Sequence, residues 1–470
     1  MKDLFGKELR VINVGAPIFA DDLTLQSVSH VHLAWRPPMG GDEGLLAALD
    51  KLEAQRKVRA RANDEVLRRI KAVTGKLIGV KRAGEVIPGL DARTILHAGP
   101  PVDWSHMAGP MRGAVVGALL YEGLAATPAA AVELAASGTI RFAPCHDYNA
   151  VGPMAGIVSH SMPVHVLYDE GRQSYAFCTI NEGLGKVLRY GAYSSEVLER
   201  LCWVEKEFAP VMDAALRGCG GIDIGGIIAQ ALHMGDECHN RNKAATGLFL
   251  REVMLPVLNT DFPLPQKAAV LQFLNRNDHY FLNLSMPYAK LALQAGHGVE
   301  HATVCTVMAR NGVEFGIKIS SSDKWFVAPA NYVEGLLFPG FAKEDAARDI
   351  GDSAITETMG LGGFAMGSAP AIVRFVGGSV QDALNYSVSM RDICHGENSA
   401  FTIPTLDFLP TALGIDAVKV VELGVLPIIN TGIAHKEAGI GQVGAGLVTA
   451  PMQCFIAALR EYVASITDEK

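Results

Sequence analysis

The sequence predicts a multidomain α/β protein whose N-terminal part is a Rossmann-like parallel-sheet domain. Its 470 residues are enough for about three domains. Apolar residues make up 49% of the chain and charged residues 19%, which is typical of a compact globular protein. Strand and helix patterns alternate over the first hundred residues, and a long helical stretch follows later. We therefore expect a Rossmann-like domain at 1–98, the first part of a mixed α+β core at 99–193, an inserted mainly helical domain at 194–297, and the rest of the core, with glycine-rich site loops, at 298–470.

The N-terminal alternation consists of short apolar runs separated by stretches with helical periodicity. Strands and intervening helices are predicted, in chain order, at Arg10–Gly15, Pro17–Ser27, His30–Trp35, Ala62–Val73, Lys76–Val80 and Arg93–His97. Strands joined through helices favour one parallel sheet. The first turn, Gly15-Ala-Pro17, lacks the G-x-G-x-x-G spacing, so dinucleotide binding at this turn is not supported.

Further along the chain, turn residues and strand patterns predict two hairpins. Val164–Tyr168 and Tyr175–Thr179 read as the strands of the first, and the second turns at Asn311-Gly312. Several later strands end in loops that mix glycine with acidic, basic and amide side chains. Such loops, gathered at one end of a sheet, are where α/β proteins usually bind ligands.

Charge and cysteine content argue against several functional classes. The net charge is −8 and the pI is near 6.0, and no run of Lys and Arg offers a surface for nucleic acid. The eight cysteines are scattered without a C-x-x-C pair, which is typical of a reducing cytosol. The sequence shows neither a signal-peptide pattern at its start nor an uncharged 18-residue apolar span, so we expect a cytoplasmic protein that does not bind membranes.

The densest polar stretch runs from His233 to Lys243, between two apolar segments that are predicted to be buried. In a continuous helix, His233, Asp236, Glu237 and Asn240 share one face, with Lys243 at its edge. Burying such groups unpaired costs several kcal/mol each, so this mixture of base, acid, amide and cation favours a functional site. The alternative is a solvated helix face or a salt-bridge network at a helix end.

Metal binding has two candidate arrangements. Zinc would draw on the Cys-His pairs at 145–146 or 238–239, but adjacent residues rarely both reach one ion, and the H-E-x-x-H motif is absent. Magnesium held by Asp236, Glu237 or Glu357 together with a substrate phosphate stays open. No other cofactor is expected.

Three further motifs are weaker. Gly439-Ile-Gly441-Gln-Val-Gly444 has G-x-G-x-x-G spacing but no strand directly before it, which favours an oxyanion or phosphate cradle over a nicotinamide or flavin site. The glycine-rich stretch Asn181–Gly191 offers backbone N–H groups and cations to a phosphate or carboxylate, or is an ordinary turn into a helix. Cys145 beside His146 is a weak nucleophile candidate, because no third residue is seen to orient the base.

Six phrases of the chain resemble a long-unassigned bacterial family that includes the large subunit of oxamate carbamoyltransferase, from the oxalurate branch of allantoin breakdown. They are His97–Pro101, Gly109–Ala114, Asn181–Gly191, His233–Thr246, Gly351–Thr358 and Asn430–Lys436. The resemblance implies transfer of a carbamoyl group between a ureido acid such as oxalurate and phosphate, giving oxamate and carbamoyl phosphate. It also implies an oligomer with an acyl-CoA-synthetase-like subunit and a further protein partner.

Carbamoyl transfer builds charge on a carbonyl oxygen and needs an anionic acceptor held in line, so positioning and electrostatics carry most of the catalysis. On this basis His233 or His435 is predicted to move the proton, and Asp236 or Glu237 to orient the imidazole. The residues predicted to bind phosphate or the substrate carboxylate are Lys186, Arg241, Lys243 and Lys436. Those predicted to hold the amide end of the substrate are Asn181, Asn240 and Asn430.

Two other functions fit the sequence. A CoA-linked acyltransferase or ligase-like subunit agrees with the Rossmann-like start and with the partners that the resemblance implies. A non-catalytic ligand-binding or scaffold subunit would use the polar segment 233–243 as a surface that faces a partner.

Overall fold

The structure is a computed structural model that describes residues 9–33 and 43–468. In these residues the strands are β1 Arg10–Val14, β2 Ser29–Leu33, β3 Gly75–Arg82, β4 Thr94–His97, β5 Arg141–Pro144, β6 Ala150–Val151, β7 Pro163–Asp169, β8 Ser174–Thr179, β9 Ile222–Asp223, β10 Cys305–Asn311, β11 Glu314–Ile319, β12 Phe326–Pro329, β13 Glu334–Leu337, β14 Ile350–Gly351, β15 Cys394–Ile403, β16 Leu409–Ile415, β17 Ile428–Ala434 and β18 Gln442–Thr449. The helices are α1 Pro17–Leu25, α2 Glu43–Ala54, α3 Arg56–Lys71, α4 Ala83–Val86, α5 Gly109–Tyr121, α6 Pro128–Ala136, α7 Ser195–Trp203, α8 Ala209–Cys219, α9 Ile224–His233, α10 Lys243–Leu258, α11 Leu264–Asn275, α12 Leu282–Ala295, α13 Ile355–Thr358, α14 Val373–Val376, α15 Val380–Ser389, α16 Ala417–Leu423 and α17 Met452–Asp468. This mixture confirms the predicted α/β class.

The strands form several separate sheets. The largest has five strands in the order β6-β8-β7-β3-β9, and a four-stranded sheet has the order β12-β11-β10-β14. A three-stranded sheet, β13-β18-β17, carries the C-terminal strands. The pairs β1-β2, β4-β5 and β15-β16 complete the set in the described residues.

The first hundred residues differ from the single parallel sheet that the sequence predicts. β1 and β2 do pair in parallel around α1, with Val11 opposite His30, while the last two residues of the predicted second strand, Ala34 and Trp35, lie outside the described residues. β3, however, pairs antiparallel with both β7 and β9, and β4 pairs with β5. The prediction of one sheet is wrong for this described part, because an apolar strand pattern indicates burial but not the neighbour of the strand. The four-segment domain division stays a prediction.

Both predicted hairpins are confirmed. β7 and β8 are antiparallel, with Tyr168 opposite Tyr175. β10 and β11 are antiparallel as well, and Gly312 takes the positive φ of 84° that the turn requires. The side-chain oxygen of Asn311 accepts hydrogen bonds from the backbone N–H groups of Val313 and Glu314 and so fixes the turn.

Residues 195–295 are mainly helical, as predicted. Within them α12 is buried along almost its whole length and packs against α3, α13 and the large sheet. Phe249 and Phe281 are fully buried beside it, and each stabilises the fold by roughly 1.5–3 kcal/mol through removal of apolar surface from water. No helix among the described residues is both long enough and apolar enough to cross a membrane.

The polar segment 233–243 is not a continuous helix, so the predicted helix face is wrong. α9 ends at His233 and α10 begins at Lys243, with a loop between them. Gly235 and Cys238 both have positive φ, at 81° and 60°, which a right-handed helix cannot contain. The Asp236 carboxylate accepts hydrogen bonds from the backbone N–H groups of Cys238 and Ala245, so it stabilises the loop and the first turn of α10.

Candidate functional site

The loop 234–242 packs against two other segments, the stretch 356–363, which contains the end of α13, and β17. Glu237, on the loop, is fully buried. Its Oε1 accepts hydrogen bonds from the backbone N–H groups of Asn240 and Arg241, both at 2.8 Å, and from the Asn430 side chain at 3.0 Å. Its Oε2 accepts from the His239 backbone N–H at 2.9 Å. Glu237 therefore shapes the loop and joins it to β17.

Glu357, also fully buried, holds the imidazole of His239. The Nδ1 atom of His239 lies 2.7 Å and 2.8 Å from the two Glu357 carboxylate oxygens. The backbone N–H groups of Gly363 and Asn430 donate to Oε1, at 2.9 Å and 3.2 Å, and the Thr356 hydroxyl donates to Oε2 at 3.1 Å. The side chain of Glu357 is thus fixed before it meets the imidazole.

Gly362 allows this close packing. Its φ is +55°, and a Cβ atom there would lie 2.1 Å from Glu357 Oε1 and 3.0 Å from His239 Cβ. Because no side chain fits at that distance, the position requires glycine. We call Glu237, His239, Asn240, Glu357 and Asn430 the buried network.

Burial changes the acid–base behaviour of two carboxyl groups in the loop. It raises the pKa of Glu237 to about 8, with the neighbouring Asp236 carboxylate acting in the same direction and the N–H groups of His239 and Arg241 opposing it. Burial also raises the pKa of Asp236 to about 6, although the hydrogen bonds that its carboxylate accepts from backbone N–H groups act to lower it. Protons are therefore held here near neutral pH, a property that clusters at functional sites.

Two side chains of the loop have polar groups that the buried network does not use. Because Nδ1 of His239 faces Glu357, Nε2 is the ring nitrogen that remains for proton exchange. Arg241, two residues further on, is half-buried, and its Nε is a buried donor without a hydrogen-bond partner among the described residues. The imidazole of His239, held by a fixed carboxylate, and the guanidinium of Arg241 are therefore two residues apart in the chain.

The structure brings Asp236, Glu237, Asn240 and Asn430 together in or beside the buried network. Asn240 donates from its side-chain amide to the Asn430 side-chain oxygen at 2.8 Å. The sequence analysis considered His239 only as a zinc ligand and Glu357 only as a magnesium ligand. The signal available for both was their place within polar phrases at 233–246 and 351–358.

His233 and Lys243 lie outside this network. His233 is exposed, its Nε2 is 2.8 Å from the Thr402 hydroxyl, and its ring packs edge-on against Phe408. The structure therefore does not show the predicted contact of its imidazole with Asp236 or Glu237. The Nζ of Lys243 is 3.1 Å from the Asp278 carboxylate, and the Lys243 side chain is 70% exposed.

Asn181 and Lys186 lie in another part of the fold. The Asn181 amide donates to the Asn283 side chain at 2.8 Å and to the His279 carbonyl at 2.9 Å. Asn277 donates in turn to the Asn181 carbonyl at 2.9 Å. Lys186 is exposed. Asn181 thus belongs to a buried amide cluster distinct from the buried network.

His435 and Lys436 occupy a third place. His435 is buried, and its Nδ1 accepts from the Glu437 backbone N–H at 2.9 Å, while its Nε2 lies 3.9 Å from Asp345. Lys436 is exposed, donates to the Glu344 carbonyl at 2.6 Å and lines a cavity of about 830 Å³. Neither side chain contacts Asp236 or Glu237 in the described structure.

Metal binding by the loop has little support from its geometry. Among the described residues, no group of three or more His, Cys, Asp or Glu side chains is arranged to hold a metal ion. The oxygens of Asp236, Glu237 and Glu357 already accept N–H or O–H groups of the chain. Burial raises the pKa of Cys238 well above the usual thiol value, which opposes thiolate ligation. The magnesium expectation stays a prediction.

Comparisons with known proteins identify similar chains. A family model described as "Oxamate carbamoyltransferase subunit AllG" matches residues 140–353, which include the loop 234–242. The oxamate carbamoyltransferase subunit AllG of Escherichia coli (strain K12) is 46% identical over 411 residues, covering 87% of this chain and 98% of the relative. The uncharacterized protein YahG of the same organism is 45% identical over 458 residues and covers 97% of each chain.

A solved structure is similar as well. It is the crystal structure of a conserved protein of unknown function from Enterococcus faecalis V583, with a TM-score of 0.86 and 48% sequence identity. The match covers 87% of this chain and 98% of the Enterococcus chain. The fold described above is therefore shared with a crystallised relative over most of the chain.

Proposed function

This chain belongs to the family of the oxamate carbamoyltransferase subunit AllG, and on that basis we propose that it is a subunit of an enzyme that transfers a carbamoyl group between a ureido acid and phosphate. Oxalurate is the proposed ureido acid, with oxamate and carbamoyl phosphate as products. Further subunits, one of them similar to acyl-CoA synthetases, complete the enzyme. What supports the proposal is the identity of 46% over 87% of the chain.

The reaction sets out what a site must supply. An oxygen of hydrogen phosphate attacks the ureido carbonyl carbon, and the bond from that carbon to the substituted nitrogen breaks. Oxamate leaves, and the substituted nitrogen becomes its amide nitrogen once it has taken up a proton. The proton that the phosphate loses is the one that the leaving nitrogen needs, so a single proton carrier serves both steps. Negative charge develops on the carbonyl oxygen, which calls for N–H donors in fixed positions.

His239 is the proposed proton carrier, acting through Nε2. The observation that carries this role is the contact of its Nδ1 with both oxygens of Glu357, which is buried and fixed by other donors. A carboxylate in this position selects the tautomer of the imidazole, holds the ring and stabilises the imidazolium that forms, as the aspartate of a Ser-His-Asp catalytic triad does. Glu357 is accordingly a positioning residue.

Arg241 is the proposed binding group for the phosphate or the substrate carboxylate. Its guanidinium offers donors in a fork that matches an oxyanion, and its Nε has no partner among the described residues. Asn240, adjacent to His239, is proposed to hold the amide end together with Asn430. The roles predicted for His233, His435, Lys186, Lys243 and Lys436 stay predictions.

A non-catalytic subunit is the second candidate function. The observation in its favour is that Glu237 already accepts four N–H groups from its own chain, as expected of a carboxylate that stabilises a fold. In that case the catalytic residues belong to another subunit, and this chain holds that subunit in place. The CoA-linked alternative is tested separately, by titrating the chain with CoA.

The test of the proposed function is an end-point assay for carbamoyl phosphate. Oxalurate and phosphate are incubated with the chain alone and then with its partner subunits, and carbamate kinase with ADP converts any carbamoyl phosphate to ATP. We expect ATP in at least the complete mixture, and none when phosphate or this chain is omitted. No ATP from subunits that are folded and associated, or undiminished ATP without this chain, would contradict the proposal.

A further inference from the structure

A second polar site lies where the residues after β5 meet α12 and β11. It is a cavity of about 390 Å³, and the lining residues that matter here are His146, Asp147, Lys290, His297, Lys318 and Trp325. None of these side chains belongs to the buried network around Glu357. Since one water occupies about 30 Å³ of liquid, the cavity is large enough for a small ion with several waters.

Lys290 is the buried cation of this cavity. Only 2% of it is exposed, and its Nζ donates to the His146 carbonyl at 3.0 Å and to the Gln294 side-chain oxygen at 2.8 Å. Both acceptors are uncharged. A buried ammonium without an anionic partner costs several kcal/mol, so a bound anion would offset that cost.

His146 is the second unbalanced group. Its side chain is fully buried, and neither ring nitrogen has a hydrogen-bond partner among the described residues. Nε2 lies 3.5 Å from an Asp352 oxygen, and the ring meets Trp325 edge-on at 5.9 Å between centroids. More than nine in ten buried polar groups are hydrogen-bonded, so the unpartnered imidazole beside this cavity is an exception that a bound ligand would explain.

The carboxylates near the cavity are already occupied. Asp147 lies 2.7 Å from the Lys318 ammonium, and Asp323 lies 2.8 Å from Nε2 of His297. Asp352 accepts backbone N–H groups at 2.8 Å and 3.0 Å. The groups left without a full set of partners are therefore the Lys290 ammonium, with two of its three N–H groups used, and the His146 ring, with one donor and one acceptor nitrogen.

The charge states agree with a site for an anion. Burial lowers the pKa of Lys290 to about 7, with Lys318 acting in the same direction and Asp147 and Asp352 opposing it. Burial also lowers the pKa of His146 well below its usual range, so this ring is neutral and offers one N–H. An oxyanion beside Lys290 would restore its positive charge at neutral pH.

We propose that this cavity binds a small oxyanion, with carboxylate or phosphate oxygens, through the Lys290 ammonium and the His146 ring. The inference goes beyond the proposed function, because it rests on the contacts of the cavity alone and requires no carbamoyl transfer.

The test is calorimetric titration of the whole chain, below pH 7, with inorganic phosphate and separately with oxamate. Lys290→Met removes the charge while keeping the length of the side chain, and Lys71→Met is the matched change at an exposed lysine at the end of α3. Loss of a hydrogen bond to a charged group is expected to raise the Kd about 10-fold or more in K290M and to leave it unchanged in K71M.

His146→Phe is a second variant that does not alter the lysine. It keeps a ring against Trp325 and removes both nitrogens, so weaker anion binding is expected here too, with the fold checked by circular dichroism. Phosphate binding that weakens in K290M identifies a phosphate source, and oxamate binding that weakens in K290M a carboxylate source; both support the proposal. Absence of binding to the wild type, or equal affinity in the wild type, K290M and H146F, would overturn it.

Discussion

The polar segment 233–243 has a buried centre and two exposed ends, and the two parts hold their side chains in different ways. In the centre, Glu237 accepts four hydrogen bonds, and the carboxylate of Glu357 contacts the imidazole of His239 with both oxygens. At the ends, His233 and Lys243 each make one hydrogen bond at the surface. Burial makes an unsatisfied polar group expensive, so the centre has one precise geometry, while water can replace the contacts of the ends.

The cavity beside Lys290 adds a third case. Its cation and its imidazole are as buried as the groups of the network, but their hydrogen bonds are incomplete. A saturated network fixes the positions of its members, whereas an unsaturated one calls for a ligand. The network therefore holds its side chains in one geometry, whereas the proposed anion site has donors still free for a ligand.

The largest expected effect comes from exchanging the two histidines of the segment. His239→Asn removes the proposed proton carrier and is expected to lower the rate of carbamoyl phosphate formation by the assembled enzyme about 10²–10⁴-fold. His233→Asn removes an exposed imidazole and is expected to change the rate by less than about threefold. Initial rates of the coupled assay measure both, and the opposite ranking would place the proton carrier at the exposed end.

A smaller effect is expected for stability at Asn430. This fully buried side chain donates to Glu237 at 3.0 Å and accepts from Asn240 at 2.8 Å. Asn430→Ala should lower the free energy of unfolding by about 1–3 kcal/mol for each partner left unsatisfied. Urea unfolding measures this, with Asn259→Ala at an exposed helix end as the control. Equal stability of the two variants would show that the network does not support the fold.

The pH dependence of stability sharpens the same contrast. The pKa of Glu237 is raised from 4.5 to about 8, so between these values the folded state binds more protons than the unfolded state. Its contribution to stability is therefore full below pH 4.5 and is lost as the pH rises through about 8. Glu237→Gln mimics the protonated form, so its unfolding free energy should fall less than that of the wild type over this range. Parallel curves for the two proteins would contradict the assignment.

The smallest effect is expected at the exposed end. Lys243 and Asp278 form an ion pair whose side chains are 70% and 58% exposed. Lys243→Ala should therefore change the free energy of unfolding by less than about 1 kcal/mol, and salt should reduce even this difference. A loss in urea unfolding as large as that of Asn430→Ala would remove the distinction between centre and ends.

Local features of the fold could be predicted from the sequence. The hairpin at Asn311-Gly312 depends on turn chemistry within four residues, and the one ending at Thr179 depends on strand alternation. The helix predicted across 233–243 failed because Gly235 and Cys238 take positive φ, which the apolar pattern around them does not reveal. The neighbours of β3 could not be predicted either, since they come from distant parts of the chain.

The candidate site was predictable in its residues more than in its contacts. Glu237 and Asn430 were selected separately for their polar surroundings, yet they are 193 positions apart and only the fold brings them within hydrogen-bond distance. The same holds for His239 and Glu357, which are 118 positions apart. Spacing along a helix could not indicate these pairs, so the sequence pointed to His233 instead.

The central claim is that His239 and Glu357 act as one unit, and a double-variant cycle tests it most directly. Rates of carbamoyl phosphate formation are measured for the assembled enzyme with His239→Asn, Glu357→Gln and both changes, after circular dichroism confirms that each variant is folded. Because Glu357 works through the imidazole, the double variant should lose about as much activity as His239→Asn alone. Losses that multiply would show that the two residues act independently and would contradict the account.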